Sequence, residues 1–436
     1  MQKPSIVAGL ALACLAVPGQ GWAHDHTAQR GRLVFADYEK PVLRVLDLDT
    51  GEVTHSFPVP KPNPGFAGVA GGRHVVVKTG DDAGTIRILD TGLTIESHGD
   101  HVDIEKGEVK LLDLAVIGDK PAHVVSGKGR VALFYDGHRP WERKSQARAV
   151  LLEIDKLAVA SATPLVWNSP APQHGIAVPL GGRQWLMSMP NPTYARGEDR
   201  SASSRPDGFE VLEQPRKADG TWKRIADFNV SGRPDASCSL FHGYAASENR
   251  HVFGCAEGQD GGVLVISREG KGQWRGRRLI YPDNRRVSSI KARDGARFMV
   301  ANYGAKAPYD ALLRIDPKAT AMSAADIHPV PGGQAACQFE LDGKRDRLAN
   351  LTADGKLRIY EIASWRELAS FDAVAGFDCQ FGAKTPTPNL AVIGASAFVS
   401  DPGNGRIREY RLDTLKQGLD MPVGGMPANL AGSDAG

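Results

Sequence analysis

The chain has 436 residues, 42% of them apolar and 24% charged, the balance of a globular protein rather than a disordered one. Its formal charge of +3 is spread without basic blocks, which excludes the electrostatic footprint of a nucleic-acid binder. The 49 glycines and 28 prolines suit many short strands joined by turns.

The first residues read as an export signal. Lys3 supplies the positive start, Ile6 to Val17 is an apolar run of 12, and Gly21-Trp22-Ala23 offers small residues before a cut. That run is too short to span a bilayer, and no later segment has 18 consecutive apolar residues, so no membrane insertion is expected. A lipoprotein reading of Cys14 is set aside because Ala11 stands where a larger aliphatic is expected. The chain therefore divides into a signal peptide (1–23), a flexible tail (24–31) carrying His24 and His26, and one domain (32–436), expected as a monomer. A free amine followed by His at position three also suits square-planar Cu(II) or Ni(II).

A weak strand motif recurs eight times. It is clearest at Val42–Leu46, Thr85–Ile88–Leu89, Lys356–Tyr360 and Arg406–Tyr410, with looser copies at Val150–Ile154, Phe209–Leu212, Val263–Ile266 and Leu312–Ile315. Arg44 and Arg408 lie 364 residues apart over seven intervals, a period of about 52 that means propeller blades. Val, Ile and Gly content and two-residue alternation argue against a helical solenoid. Before each copy runs an apolar strand placed second in its blade: 33–36, 74–77, 131–134, 184–187, 251–254, 298–301, 347–350 and 389–392. Blade 1 lacks an innermost strand, and Met426–Ala431 at the other end of the chain could supply it, closing the ring without an open edge. An all-β, eight-bladed propeller is expected, with seven blades as the alternative. The polar stretch Arg196–Asp207 reads as a long loop of blade 4, either a tip or a partner contact.

The arginine before the second strand gives a ruler. His123 stands seven residues before Arg130, His174 nine before Arg183 and His242 eight before Arg250, so three consecutive blades present His where the innermost strand begins. Phe66 holds the matching place in blade 2. His98 and His101 are expected in the loop feeding blade 3, with Asp100 and Asp103 as acceptors for the second ring nitrogens. Three or four neutral imidazoles meeting on one axis suit a tetrahedral ion, Zn2+ by geometry, although Cu(II) would bind the same nitrogens more strongly. His55, His74, His138, His251 and His328 read as strand or surface residues.

No catalytic arrangement emerges. There is no Gly-x-Ser-x-Gly elbow beside Ser126, and Asp47–Gly51 lacks the distal acid of a calcium loop and reads as a blade turn. Gly127-Lys128-Gly129 reads as a tight turn rather than a phosphate cradle. Removing the signal leaves Cys238, Cys255, Cys337 and Cys379, an even count in an exported chain. Of three possible connectivities, Cys238–Cys255 and Cys337–Cys379 are favoured over free thiols. The absence of any Cys-x-x-Cys pair argues against a cysteine zinc knuckle.

The order of features resembles the AztD family of periplasmic zinc chaperones. The resemblance is carried by Gly31-Arg32-Leu33-Val34, Pro41–Asp47, His98-Gly99-Asp100-His101, Lys120-Pro121-Ala122-His123, His174–Pro179, His242-Gly243 and Phe253-Gly254-Cys255. It implies a periplasmic propeller that binds zinc and hands it to the solute-binding protein of a zinc ABC importer. His98 or His101, with His123 and His174, are then the ligands, and His242 is carried over after them. The tail departs from the family, with only His24 and His26 left of a richer acidic and histidine segment. Two other classes stay open on the residues: an exported metal-assisted hydrolase or lactonase using an open three-His zinc, and a metal-free binding scaffold.

Overall fold

The structure is a computed structural model that describes residues 29–97, 102–159, 163–217, 220–229, 236–255, 261–270, 272–342 and 346–433. Its strands form eight four-stranded sheets and one separate two-stranded hairpin among the described residues. Seven sheets run in chain order from the innermost to the outermost strand, or nearly so. Blade 1 does not: Arg32–Asp37, Val42–Asp47 and Glu52–Pro58 are completed by Pro427–Ser433, which pairs antiparallel with Arg32–Asp37 as the innermost strand. The end of the chain thus closes the ring, as the missing strand predicts.

Eight apolar clusters decide the number of blades. Each lies between two neighbouring blades, and together they cover every seam, including the one joining blade 8 to blade 1 through Phe35, Leu46, Phe398 and Ile407. Alternation builds these seams. In the second strand of blade 3, Val131, Leu133 and Tyr135 face blade 2, while Ala132 and Phe134 face blade 4. Both faces are buried, so these strands read as continuous apolar runs. The ring has eight blades, and the seven-bladed alternative falls.

The recurrent arginine of the third strand ties blades together. Arg44 reaches Asp37 at 2.7 Å and the Val423 carbonyl of blade 8 at 2.8 Å. Arg408 repeats this with Asp401 at 2.6 Å and the Ala373 carbonyl of blade 7 at 2.8 Å. All eight third strands lie where the motif puts them.

Two placements differ from expectation. In blade 8, Leu390–Ile393 is the innermost strand, and the second is Ser396–Asp401. A tight turn at Gly394-Ala395 joins two short apolar runs that look like one strand and its lead-in. The loop expected to feed blade 3 is instead a hairpin, Leu93–Ser97 with Val102–Lys106, inserted between the third and outermost strands of blade 2. The outermost strand then follows as Lys110–Val116.

Both expected disulfides form, Cys238–Cys255 and Cys337–Cys379, with Cα–Cα distances of 4.9 and 5.7 Å in the normal span. Lys128 and Gly129, at φ 50° and 75°, make the two-residue turn expected there. The Asp47 carboxylate caps its own turn, accepting from the Asp49 N–H at 2.9 Å. Arg196–Asp207 continues from a short helix, Pro192–Arg196, started by Asn191, whose side chain accepts from Thr193 and Tyr194. No helix among the described residues is long and apolar enough to cross a membrane.

Candidate metal centre

All innermost strands start at one end of the ring. His123 is the third residue of Pro121–Gly127 in blade 3. His174 precedes Ala177–Gly181 of blade 4, and His242 precedes Tyr244–Ser247 of blade 5. The three rings come together. Centroids are 4.7 Å apart for His123 and His174, 5.8 Å for His174 and His242, and 6.3 Å for His123 and His242. Three imidazoles sharing one tetrahedral ion at the usual Zn–N length would have centroids about 5 Å apart. The observed separations of 4.7–6.3 Å lie near that spacing. Among the described residues no group of three or more His, Cys, Asp or Glu side chains stands already closed around a metal position.

Each ring is held by its δ nitrogen. His123 Nδ1 donates to the Gly175 carbonyl at 2.8 Å, and His242 Nδ1 to the Ser288 carbonyl at 2.8 Å. A carbonyl only accepts, so in both rings the proton sits on Nδ1 and the lone pair on Nε2. His174 Nδ1 meets Asp136 Oδ2 at 2.7 Å, the carboxylate–imidazole pairing that orients ligating histidines elsewhere. Every acceptor comes from a neighbouring blade or its edge, so the rings are oriented across seams. Asp103 was expected as one of these acceptors; it lies instead in the hairpin of blade 2, and the described rings use Gly175, Asp136 and Ser288.

The glycines that follow His174 and His242 have a steric reason. A Cβ on Gly175 would stand 2.4 Å from Ser188 Oγ and 2.6 Å from Phe134 Cζ. Gly243 has φ +91°, and its Cβ would come within 2.9 Å of the Ser288 carbonyl that holds His242. Below the trio, Phe241 packs edge-on against Phe209 and Phe253, and the Cys238–Cys255 bond ties the His242 segment to the end of the second strand of blade 5. The long loop of blade 4 closes over this end, its Ser204 carbonyl accepting the His174 N–H at 2.7 Å and its Pro206 carbonyl the Phe241 N–H at 3.1 Å.

Burial pushes His123 down to about 4, helped by His174 and opposed by the Gly175 hydrogen bond. Burial likewise takes His242 to about 4, with Arg205 among the cations adding to it. Both rings are neutral at pH 7. Burial raises Asp136 despite its bond to His174.

His24, His26, His98, Asp100 and His101 lie outside the described residues. Of the histidines given no role, His251 bonds the Tyr244 hydroxyl at 3.0 Å and His328 stacks on Trp365, as structural residues do. Sequence reasoning missed Asp136 and Ser288. Asp136 directly follows the second strand of blade 3, and that strand's end lies beside the mouth of its own innermost strand; this register was the available signal.

No protein-family model matches the chain. A Citrobacter koseri protein described as zinc chaperone AztD is 26% identical over 411 residues, covering 93% of this chain and 87% of the relative. The crystal structure of Citrobacter koseri AztD superposes with a TM-score of 0.75 at 25% identity, over 92% of this chain and 97% of that one. The apo AztD structure from the same organism shares the fold with a TM-score of 0.71 at 23% identity, over 92% of this chain and 98% of that one. The resemblance to the AztD zinc chaperones, carried in the sequence by the His-Gly-Asp-His, Pro-Ala-His and His-Gly stretches, thus holds along nearly the whole chain and in the ring it forms.

Proposed function

We propose that the chain is an exported zinc chaperone that carries Zn2+ on His123, His174 and His242 and passes it to the solute-binding protein of a zinc ABC importer in the periplasm. The observation that carries this reading is the trio itself: three imidazoles from three blades, 4.7–6.3 Å apart, each anchored through Nδ1. His123 and His242, both neutral at pH 7, need no proton displaced before they accept a dication. Similarity to zinc chaperone AztD supports the zinc-chaperone role. It favours a binding and transfer protein over an enzyme, and the hydrolase reading gains nothing from it. Two disulfides suit an oxidising compartment.

Zinc is the cargo here. His98 or His101 supplies a further, exchangeable ligand, and His24 and His26 relay the ion by ligand exchange. The decisive experiment is elemental analysis of tag-free protein carrying His123→Ala and His174→Ala. Stoichiometric zinc is expected to disappear, whereas His24→Ala with His26→Ala slows delivery and leaves affinity nearly unchanged. Undiminished zinc in the His123, His174 double variant would refute the reading.

A further inference from the structure

His174 and the carbonyl that holds His123 belong to one turn. Gln173 to Ile176 lead into the innermost strand of blade 4, and each of the four has a backbone group bonded to a neighbour. The Gln173 N–H donates to the Asp136 carbonyl at 3.1 Å and the His174 N–H to the Ser204 carbonyl at 2.7 Å. The Gly175 carbonyl accepts from His123 Nδ1, and the Ile176 N–H donates to Ser188 Oγ at 2.8 Å. The two rings joined by this turn are also the closest pair of the trio, 4.7 Å against 5.8 and 6.3 Å.

Beneath the turn lies a polar network made by Ser169, Gln173 and Ser188, all buried. Gln173 Nε2 donates to the Ser188 carbonyl at 3.0 Å and to Ser169 Oγ at 2.8 Å. Ser169 Oγ donates in turn to the Ala171 carbonyl at 2.7 Å, and Ser188 Oγ donates to Gln173 Oε1 at 3.0 Å. A carbonyl only accepts, so the Ser188 carbonyl fixes which end of the amide is Nε2, and the hydroxyl directions follow. The position asks for an uncharged amide of this length: a carboxylate would face the Ser188 carbonyl, and Asn is one carbon short. Buried polar side chains are destabilising unless bonded, and here both hydrogens of the amide and its oxygen have partners. We propose that Gln173 and Ser188 are positioning residues of the metal centre: their network locks the 173–176 turn, and the turn seats the His123 and His174 rings together. This rests on the zinc-carrier reading above. Both side chains act through the turn, unlike Asp136, which bonds a ring directly.

Ser188→Ala removes one hydroxyl, fits the same space, and leaves the Ile176 N–H and Gln173 Oε1 without their bonds to it. In tag-free protein its zinc affinity, read by chelator competition, should fall roughly tenfold or more, the usual effect of losing an outer partner. Ring-proton NMR of the metal-free protein, labelled at histidine, separates positioning from packing. The Nδ1 proton of His123 should lose its protection against exchange with solvent, while that of His242, held by Ser288 of blade 6, keeps it. Gln173→Met keeps the length of the side chain, removes the amide and should give the same two changes; Ser188→Ala decides if the methionine variant does not fold. An unchanged zinc constant in Ser188→Ala, or equal loss of protection at His242, overturns the positioning role and leaves the carrier reading standing. Failure of zinc to bind the parent protein removes both.

Discussion

Among the described residues, Asp136 is the carboxylate bonded to the trio, and its contact is with His174. Replacing it by Asn keeps an oxygen in place and removes the charge that orients the ring. Such outer partners are typically worth about 10–100-fold in metal affinity. Asp136→Asn should therefore weaken zinc by that order, measured by competition with a chromophoric chelator; an unchanged constant would mean the ring is oriented by packing alone. His123, His242 and His251 share a second consequence, each being pushed down to about 4 chiefly by burial. Unfolded, they titrate near 6.5, so between that value and 4 the unfolded chain binds more protons and stability falls on acidification. The slope is about 1.4 kcal/mol per pH unit for each proton. Melting of the metal-free protein followed from pH 7 to pH 4 should show a steep decline; a flat profile would mean the rings protonate without leaving their sites. The three histidines were legible because repeats carry an internal ruler, and His123, His174 and His242 keep nearly one offset from it. Asp136 and Ser288 were not, because they reach the centre from other strands, and the adjacency of strand ends is a property of the sheet and not of any local motif.

At the scale of elements, the hairpin of blade 2 is the informative departure. Its Lys106 ammonium is bonded to both Asp47 oxygens at 2.7 Å, anchoring its base to blade 1. It springs from the far end of its blade, where Asp90 ends the third strand, whereas the trio sits at the end where Lys78 and His123 meet. Arms of five residues reach about 17 Å, so the tip meets the trio only when the hairpin folds back along the ring. His98→Ala with His101→Ala should accordingly cost less zinc affinity than His123→Ala alone. A loss equal to that of His123→Ala, read by the same chelator competition, would place the hairpin permanently in the site. The location of this hairpin escaped the sequence because its alternating residues imitate a loop entering the next blade. The blade 8 shift has a similar cause: Asn389–Val392 is apolar enough to pass for a second strand, and only the Gly394-Ala395 turn separates it from the real one.

For the whole molecule, closure by Pro427–Ser433 is what makes eight seams possible. Ala428 is fully buried, and the strand supplies the only innermost partner of Arg32–Asp37 among the described residues. A chain ending at Val423 should lose its cooperative thermal transition and become rapidly cleaved within blade 1; a soluble, protease-resistant product would show that the remaining seven seams suffice. Eightfold closure was readable from a period of about 52 and one missing strand, because a ring tolerates no unpaired edge. The same closure gives the molecule a polarity. Arg30 bonds the Asp49 carboxylate, and Lys106 at the foot of the hairpin bonds it too, so the chain's leading stretch and the hairpin depart side by side, from the pole remote from the trio. An ion handed between that leading stretch and the trio, as proposed above, would have to pass from one pole of the ring to the other.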